Sequence, residues 1–293
     1  MGEKSAGALL KIRYMRYNAE GAPGITPARS GHEGIFAAAL GNERFGMIDF
    51  QVNINGIWVN AQYAEETVQH LFLPLLKKLG ALQKEKGRRV LAMLAAPPGA
   101  GKSTLACFLE QLCRREGLCE MQTIGMDGFH RRQEELQASF TQREGKRVSL
   151  VEIKGAPVTF DLAALTERVK AVASGAVCGW PVYDRLLHNP VDNAVTVRSG
   201  VVLLEGNYLL LDENGWRGLS QYADYTVFVS AEEKMLRSRL IERRVKTGVD
   251  REDAQRFVDF SDMPNVRLCL EKRLPAFLQL SIDANGGYHR ANL

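Results

Sequence analysis

Apolar and polar positions follow two regimes along this chain, and they meet near residue 87. Before that point, Met47 to Asn60 alternates in places and contains Asn55-Gly56, a pair that favours a two-residue hairpin turn. Residues 64–82 read as an amphipathic helix. Pro74 is expected to kink or split it, because proline lacks a helical N–H and crowds the preceding turn. Residues 1–46 are rich in Gly, Ala and Pro without a clear period and read as loops. After residue 87, short apolar runs alternate with helical patterns. The strand candidates are Val90 to Ala95, Met121 to Met126, Val201 to Leu204, Tyr225 to Val229 and Phe277 to Ile282. The helical patterns cover Lys102 to Glu116, 161–174, 231–246, 251–259 and 264–274. Unbroken apolar runs suit strands buried on both faces, and alternation with helices predicts an α/β fold around a parallel sheet. The expected organisation is a small N-terminal α+β extension over residues 1–86, hairpin plus helix, followed by an α/β domain over residues 87–293.

The first strand candidate runs into Ala96-Pro97-Pro98-Gly99-Ala100-Gly101-Lys102-Ser103-Thr104, which opens a predicted helix. That strand-to-helix context is what a Walker A phosphate loop requires. Gly99 and Gly101 let the backbone curl so that the segment Pro98 to Thr104 wraps one anion with several N–H groups facing it, and the helix N-terminus adds its positive end. Lys102 is placed to reach β- and γ-phosphates, and Ser103 to ligate Mg²⁺. Ala96 departs from the usual glycine at the first position, which demands negative φ and room there. The predicted cofactors are therefore ATP and Mg²⁺.

Two acids end predicted strands, where parallel α/β sheets gather their ligands. Asp127 follows the second strand and is a candidate base for an attacking hydroxyl. Glu205 ends the run VVLL at a Walker B position and is a candidate magnesium ligand. Asp161 stands where a helix should start and reads as its N-cap.

Composition narrows the class without choosing an activity. Hydrophobic residues make up 45% and charged residues 25% of 293, ordinary globular values, and the net charge of +4 is too small to suggest a nucleic-acid partner. No apolar run is long enough to span a bilayer, and the first residues lack a signal-peptide core, which points to the cytoplasm. Five cysteines without metal-site spacing suggest free thiols.

The ordered set PPGAGKST (97–104), MDGFH (126–130), KGAP followed by TFD (154–161), PVYDR (181–185), LLEGNYLL (203–210), LRSRLIERRVKTG (236–248) and SDMPN (261–265) resembles the P-loop kinases that include uridine kinase, phosphoribulokinase and bacterial pantothenate kinase. It is most similar to their fructose-transport-system or nucleoside/nucleotide kinase-like branch. The resemblance spans roughly residues 88 to 285. It implies a five-stranded parallel sheet with a mobile helical lid, and Asp127 as the base that activates a substrate hydroxyl. It implies that His130, Lys154, Tyr183, Asp184 and Arg185 lie near the acceptor, with His188 and Asn207 as further candidates. It places Asn265 near the adenine. Arg239 and Arg243 share one face of a predicted helix, and the resemblance makes them candidates to stabilise transferring phosphate. A homodimer would be unsurprising for this family.

Two activities fit these residues. One is a kinase that phosphorylates a hydroxyl of a small metabolite, such as a sugar, polyol, nucleoside or pantothenate-like alcohol. The other is a P-loop ATPase or nucleotide-driven switch acting on a protein partner. A GTPase is not expected, because no NKxD-like motif occurs. The first 86 residues suit either an interaction module or a wall of the acceptor pocket.

Overall fold

A computed structural model describes residues 46–54, 57–143, 145–213 and 215–291. The loop-rich reading of residues 1–45 and the Asn55-Gly56 turn lie outside these residues. Strands β1 (Met47–Ile54) and β2 (Ile57–Ala64) pair antiparallel, with Ile54 opposite Ile57. The helix α1 follows, as Glu65–Thr67, a π-turn at Val68–Phe72, and Leu73–Lys86. Pro74 therefore does not split it. The wider π-turn just upstream relaxes the backbone ladder where proline cannot donate, and the helix runs on. It stops at Gly87, which takes the left-handed conformation (φ +61°) of a helix C-terminus.

A six-stranded sheet forms the centre, in the order β12-β11-β10-β3-β9-β4. The strands β3 (Val90–Ala95), β4 (Met121–Gly125), β9 (Val201–Gly206), β10 (Tyr225–Ala231) and β11 (Leu278–Ile282) are parallel. These match the five expected strands. The sixth, β12 (Tyr288–Arg290), adds antiparallel to β11. Three residues with one apolar side chain carry too little pattern to be read from sequence. Three hairpin strand pairs lie off this sheet: β1–β2, β5 (Phe140–Arg143) with β6 (Lys146–Ser149), and β7 (Cys178–Asp184) with β8 (Asn189–Val197).

Helices cover both faces, and the strands show why. Val90, Ala92 and Leu94 of β3 enter one buried apolar cluster, while Leu91, Met93 and Ala95 enter the other. Alternation with every position apolar is the signature of a strand buried on both sides. The first cluster takes α1, α2 (Lys102–Arg115), α5 (Glu233–Val245) and α6. That last helix begins at Arg251–Phe257, passes a π-turn at Val258–Asp262 and continues as Met263–Glu271. The two helices expected at 251–259 and 264–274 are thus one, and Pro264 again sits just after a π-turn. The second cluster takes α4 (Leu162–Ala173), capped as expected by Asp161, whose Oδ1 accepts from Ala164 N at 2.9 Å. The short α3 (Gln133–Ala138) precedes β5.

The hairpin β1–β2 and α1 pack on the first face. Phe50, Tyr63 and Phe72 surround Phe108 of α2, with Tyr63 stacked on Phe108 at 4.2 Å between ring centroids. Tyr288 of β12 closes the same cluster.

Candidate active site

The phosphate loop joins β3 to α2. Gly99 and Gly101 have φ of +86° and +82°, a conformation costly for residues with a Cβ. Nothing lies within 4 Å of a Cβ built on Gly101, so the space beside it is open. At Gly99 a Cβ would meet Leu240 Cγ at 3.1 Å and the Leu236 carbonyl at 3.2 Å, so α5 lies against the loop. Ala96 is buried and donates its N–H to the Gly206 carbonyl at 3.3 Å. Among the described residues, only His188 and Asn193 combine a side chain with positive φ, so alanine at the first loop position is unstrained. Pro98 and Ala100 are buried, and Thr104 is half-buried. Gly101 is the helix N-cap and supplies no capping side chain. The first-turn N–H groups of Lys102, Ser103 and Thr104 are thus left for an anion.

Glu205 lies at the end of β9, level with Leu94 of β3 and Gly125 of β4. Its Oε1 accepts from Ser103 Oγ at 2.8 Å, and its Oε2 is 4.0 Å from Lys102 Nζ. A hydroxyl and a carboxylate converging beside a lysine fit a hard divalent cation next to phosphates. Ser103 and Glu205 would hold Mg²⁺, which supplies charge neutralisation at the β- and γ-phosphate oxygens. Burial pushes the Glu205 carboxyl up; Lys102 opposes this, and Asp127 adds to it.

Asp127 sits in a single 3-10 turn, Met126–Phe129, at the carboxyl end of β4. Its neighbour Gly128 explains its position. A Cβ there would fall 2.1 Å from the Pro181 carbonyl oxygen and 2.4 Å from its carbon. The turn and β7 therefore touch backbone to backbone. Trp180 Nε1 donates to the Gly125 carbonyl at 2.8 Å and fixes the same approach. Burial alone would raise the Asp127 carboxyl. Lys102, His130 (when protonated), Arg185 and Arg243 together outweigh it, and the group is held below its ordinary 3.8.

His130 stacks on Phe160, with ring centroids 3.9 Å apart, and meets Tyr183 edge-on at 5.3 Å. Burial drives its pKa down to about 4, against the pull of Asp127. The imidazole is therefore neutral at pH 7. Its Nδ1, Arg185 Nε, Asn207 Oδ1 and Ser261 Oγ are buried side-chain atoms without a hydrogen-bond partner among the described residues. The first three belong to residues that the family motifs placed near the acceptor. Kcat/KM is expected to show no ionisation near about pH 6.5, where an ordinary histidine titrates. A limb there that disappears in His130→Gln would contradict the neutral assignment; rates measured from about pH 5 to 8 decide it.

The remaining candidates divide. Lys154 Nζ is committed to Gln133 Oε1 at 2.7 Å and the His188 carbonyl at 3.0 Å, above the Tyr183 ring. Asp184 Oδ1 accepts from Leu186 N and Leu187 N at 2.8 and 2.9 Å, so it builds the turn between β7 and β8. His188 is exposed in that turn with φ +51°. Arg243 lies close enough for its charge to act on Asp127. Arg239 shares its helix face but reaches toward β12: its Nη2 is 3.7 Å from a Cβ built on Gly286, and its charge acts on Tyr288. Asn265 is buried, donates to the Ser261 carbonyl at 3.0 Å, and lies beside Gly155 of the KGAP segment. The structure thus gathers Lys102, Ser103, Asp127, Arg185, Glu205 and Arg243 and leaves Arg239 and His188 outside. Gly128, Phe160 and Trp180 emerge as positioning residues that sequence reasoning did not single out. Their only signal was membership of, or adjacency to, the DGFH, TFD and PVYDR motifs.

A sequence model of the Phosphoribulokinase / Uridine kinase family matches residues 91–274. The uncharacterized protein YggC of Escherichia coli is 40% identical over 241 residues, covering 82% of this chain and 98% of YggC. A Schizosaccharomyces pombe protein provisionally named a uridine kinase, C227.14, is 32% identical over 61% of this chain and 77% of its own. The crystal structure of a Silicibacter sp. TM1040 protein provisionally named a fructose transport system kinase superposes with a TM-score of 0.59 at 30% identity, over 69% of this chain and 98% of that one. With the phosphate loop, the Ser103–Glu205 pair and the strand-end Asp127 arranged around Lys102, these matches establish that the chain belongs to the phosphoribulokinase/uridine kinase family, as a small-molecule kinase that uses ATP and Mg²⁺.

Proposed function

We propose that the enzyme transfers the γ-phosphoryl group of ATP to a hydroxyl of a small metabolite, with Asp127 as the base. The observation that carries this reading is the Gly128–Pro181 contact. It presses the turn bearing Asp127 against the PVYDR strand, while Lys102 links the same acid to the phosphate loop. In this reading the acceptor hydroxyl binds between Asp127 and β7. Its oxygen forms the new P–O bond as the bond to the β,γ-bridging oxygen breaks and ADP leaves. The hydroxyl proton passes to an Asp127 carboxylate oxygen. A carboxylate held below its ordinary pKa is a weak base, which suits a loose phosphoryl transition state in which the proton moves late. Lys102 and Arg243 face the charge on the transferring oxygens. The hairpin and α1 form an extension that braces α2, and so the phosphate loop, through Phe108.

The test is ADP release with Mg-ATP against sugars, sugar phosphates, polyols, nucleosides and pantothenate. Stimulation by one acceptor class is expected. Turnover at the same rate with and without every acceptor would sink the kinase reading in favour of a nucleotide-driven switch.

A further inference from the structure

The groups around Asp127 bear on what kind of molecule the acceptor is, an inference that rests on the kinase reading above. Three basic side chains lie on the acceptor side: His130, Lys154 and Arg185. His130 is stacked on Phe160 among aromatic rings and is uncharged at pH 7. Lys154 already has two hydrogen-bond acceptors within 3.0 Å. Arg185 differs from both. Its Nε is buried without a partner, and among the described residues it forms no ion pair within 4.0 Å. The charges that act with it include the acids Asp127 and Glu205, on which Lys102 also acts, and the like-charged Arg243. A guanidinium that loses water at Nε without gaining an acceptor is destabilised until an anion arrives. Its planar fork matches a carboxylate or phosphate. The turn that carries it is built by Asp184, so Arg185 starts from a fixed backbone rather than a floppy loop. Asn207 follows Gly206, where a Cβ would meet Met126 Sδ at 2.2 Å beside Asp127; its Oδ1 is also buried without a donor, and a hydroxyl would satisfy it.

We propose that the acceptor is an anionic polyol: Asp127 takes the reacting hydroxyl, Asn207 a second hydroxyl, and Arg185 a carboxylate or phosphate carried by the acceptor itself. The anion is the selective element, because a neutral analogue would leave Arg185 unpaired in the closed complex. Discrimination against molecules lacking the expected polar group can reach about 10⁴-fold on this principle.

Two measurements test this, and they fail separately. The first compares kcat/KM within matched pairs: glycerate against glycerol, pantothenate against pantothenol, and hexose monophosphates against hexoses. The expected result is a preference for the anionic member of at least about 100-fold in one pair. That pair also says whether carboxylate or phosphate is read. Arg185→Gln should reduce the preference to less than about 10-fold by raising KM for the anionic member, with the KM for ATP unchanged. Preference for the neutral member overturns the inference and leaves the kinase reading intact. The second measurement needs no turnover. The Nε–H resonance of Arg185, assigned by its loss in Arg185→Gln, is followed by NMR with a non-hydrolysable ATP analogue and Mg²⁺ bound. Acetate or methyl phosphate is then added. A saturable shift on adding either anion is expected. A resonance that moves with the ATP analogue alone and ignores both anions makes Arg185 a γ-phosphate contact and overturns the inference. A saturable anion shift without any acceptor turnover in the panel leaves the anion site standing and sinks the kinase reading alone.

Discussion

Asp127→Asn is expected to lower kcat by about 10²–10⁴-fold, the range that a positioned general base supplies. Asparagine keeps the shape of the side chain in a turn that has no spare room, since Gly128 beside it already touches Pro181. What it removes is the proton acceptor and one negative charge next to Lys102. The phosphate loop itself is untouched, because Lys102 also faces Glu205 at 4.0 Å and the loop glycines lie elsewhere. Affinity for Mg-ADP should therefore stay within about threefold, a difference below 1 kcal/mol. The Asp127 charge helps to raise the Glu205 carboxyl, so its loss should ease ionisation of Glu205 rather than hinder it. Steady-state rates with the best acceptor, beside calorimetric binding of Mg-ADP, give both quantities. An unchanged kcat would remove Asp127 from the chemistry. A collapse of nucleotide binding would make it a structural acid.

Gly128→Ala is expected to damage stability and activity together. A real Cβ does not approach other atoms within 3.0 Å, and here it would lie 2.1 Å from a backbone oxygen that belongs to a strand and cannot swing aside. Either the turn or β7 must shift. Overpacking of this kind costs about 1–3 kcal/mol, read as a lower melting temperature. The activity loss should be larger than the destabilisation explains, because Asp127 and the PVYDR segment separate, and misplacement by about 1 Å can cost 100-fold. Gly218→Ala is the control. That glycine is exposed, and its nearest neighbour would be a glutamine side chain at 3.8 Å, so little should change. If both variants melt and turn over alike, the backbone contact does not position the base.

The parallel sheet was legible because its central strands are buried on both faces. Runs such as Val90 to Ala95 have no polar position to blur them, and Gly99 to Ser103 announced the loop that follows. The hairpins β5–β6 and β7–β8 were not legible: the first is short, and both are largely half-exposed and held by cross-strand pairing, which a local pattern does not encode. At Pro74 the helix continues where a split was one of the two expectations, for a related reason. A π-turn is set by packing, here Val68 and Phe72 buried against the sheet, and it cancels the local rule about proline. Within the site, Asp127, Lys102 and Glu205 could be read because strand ends beside a phosphate loop are chemically marked. Arg239 and Arg243 could not be told apart, since residues four apart on a helix share a face while the two side chains reach different neighbours. Gly128 drew no attention because a close approach of two backbones leaves no trace in residue type beyond the glycine itself.

The aromatic cluster around Phe108 has a consequence for how the protein is made. Tyr63 and Tyr288 meet there with ring centroids 6.0 Å apart, though more than two hundred residues of chain separate them. Contacts of such long range form late, since loop closure must be paid before they reward it. A nascent chain emerging from the ribosome would carry β1, β2, α1 and α2 long before β11 and β12 exist to close over them. Tyr63 and Phe72 therefore wait with one flank uncovered during synthesis, the interval in which a chaperone or a neighbouring chain has its opportunity.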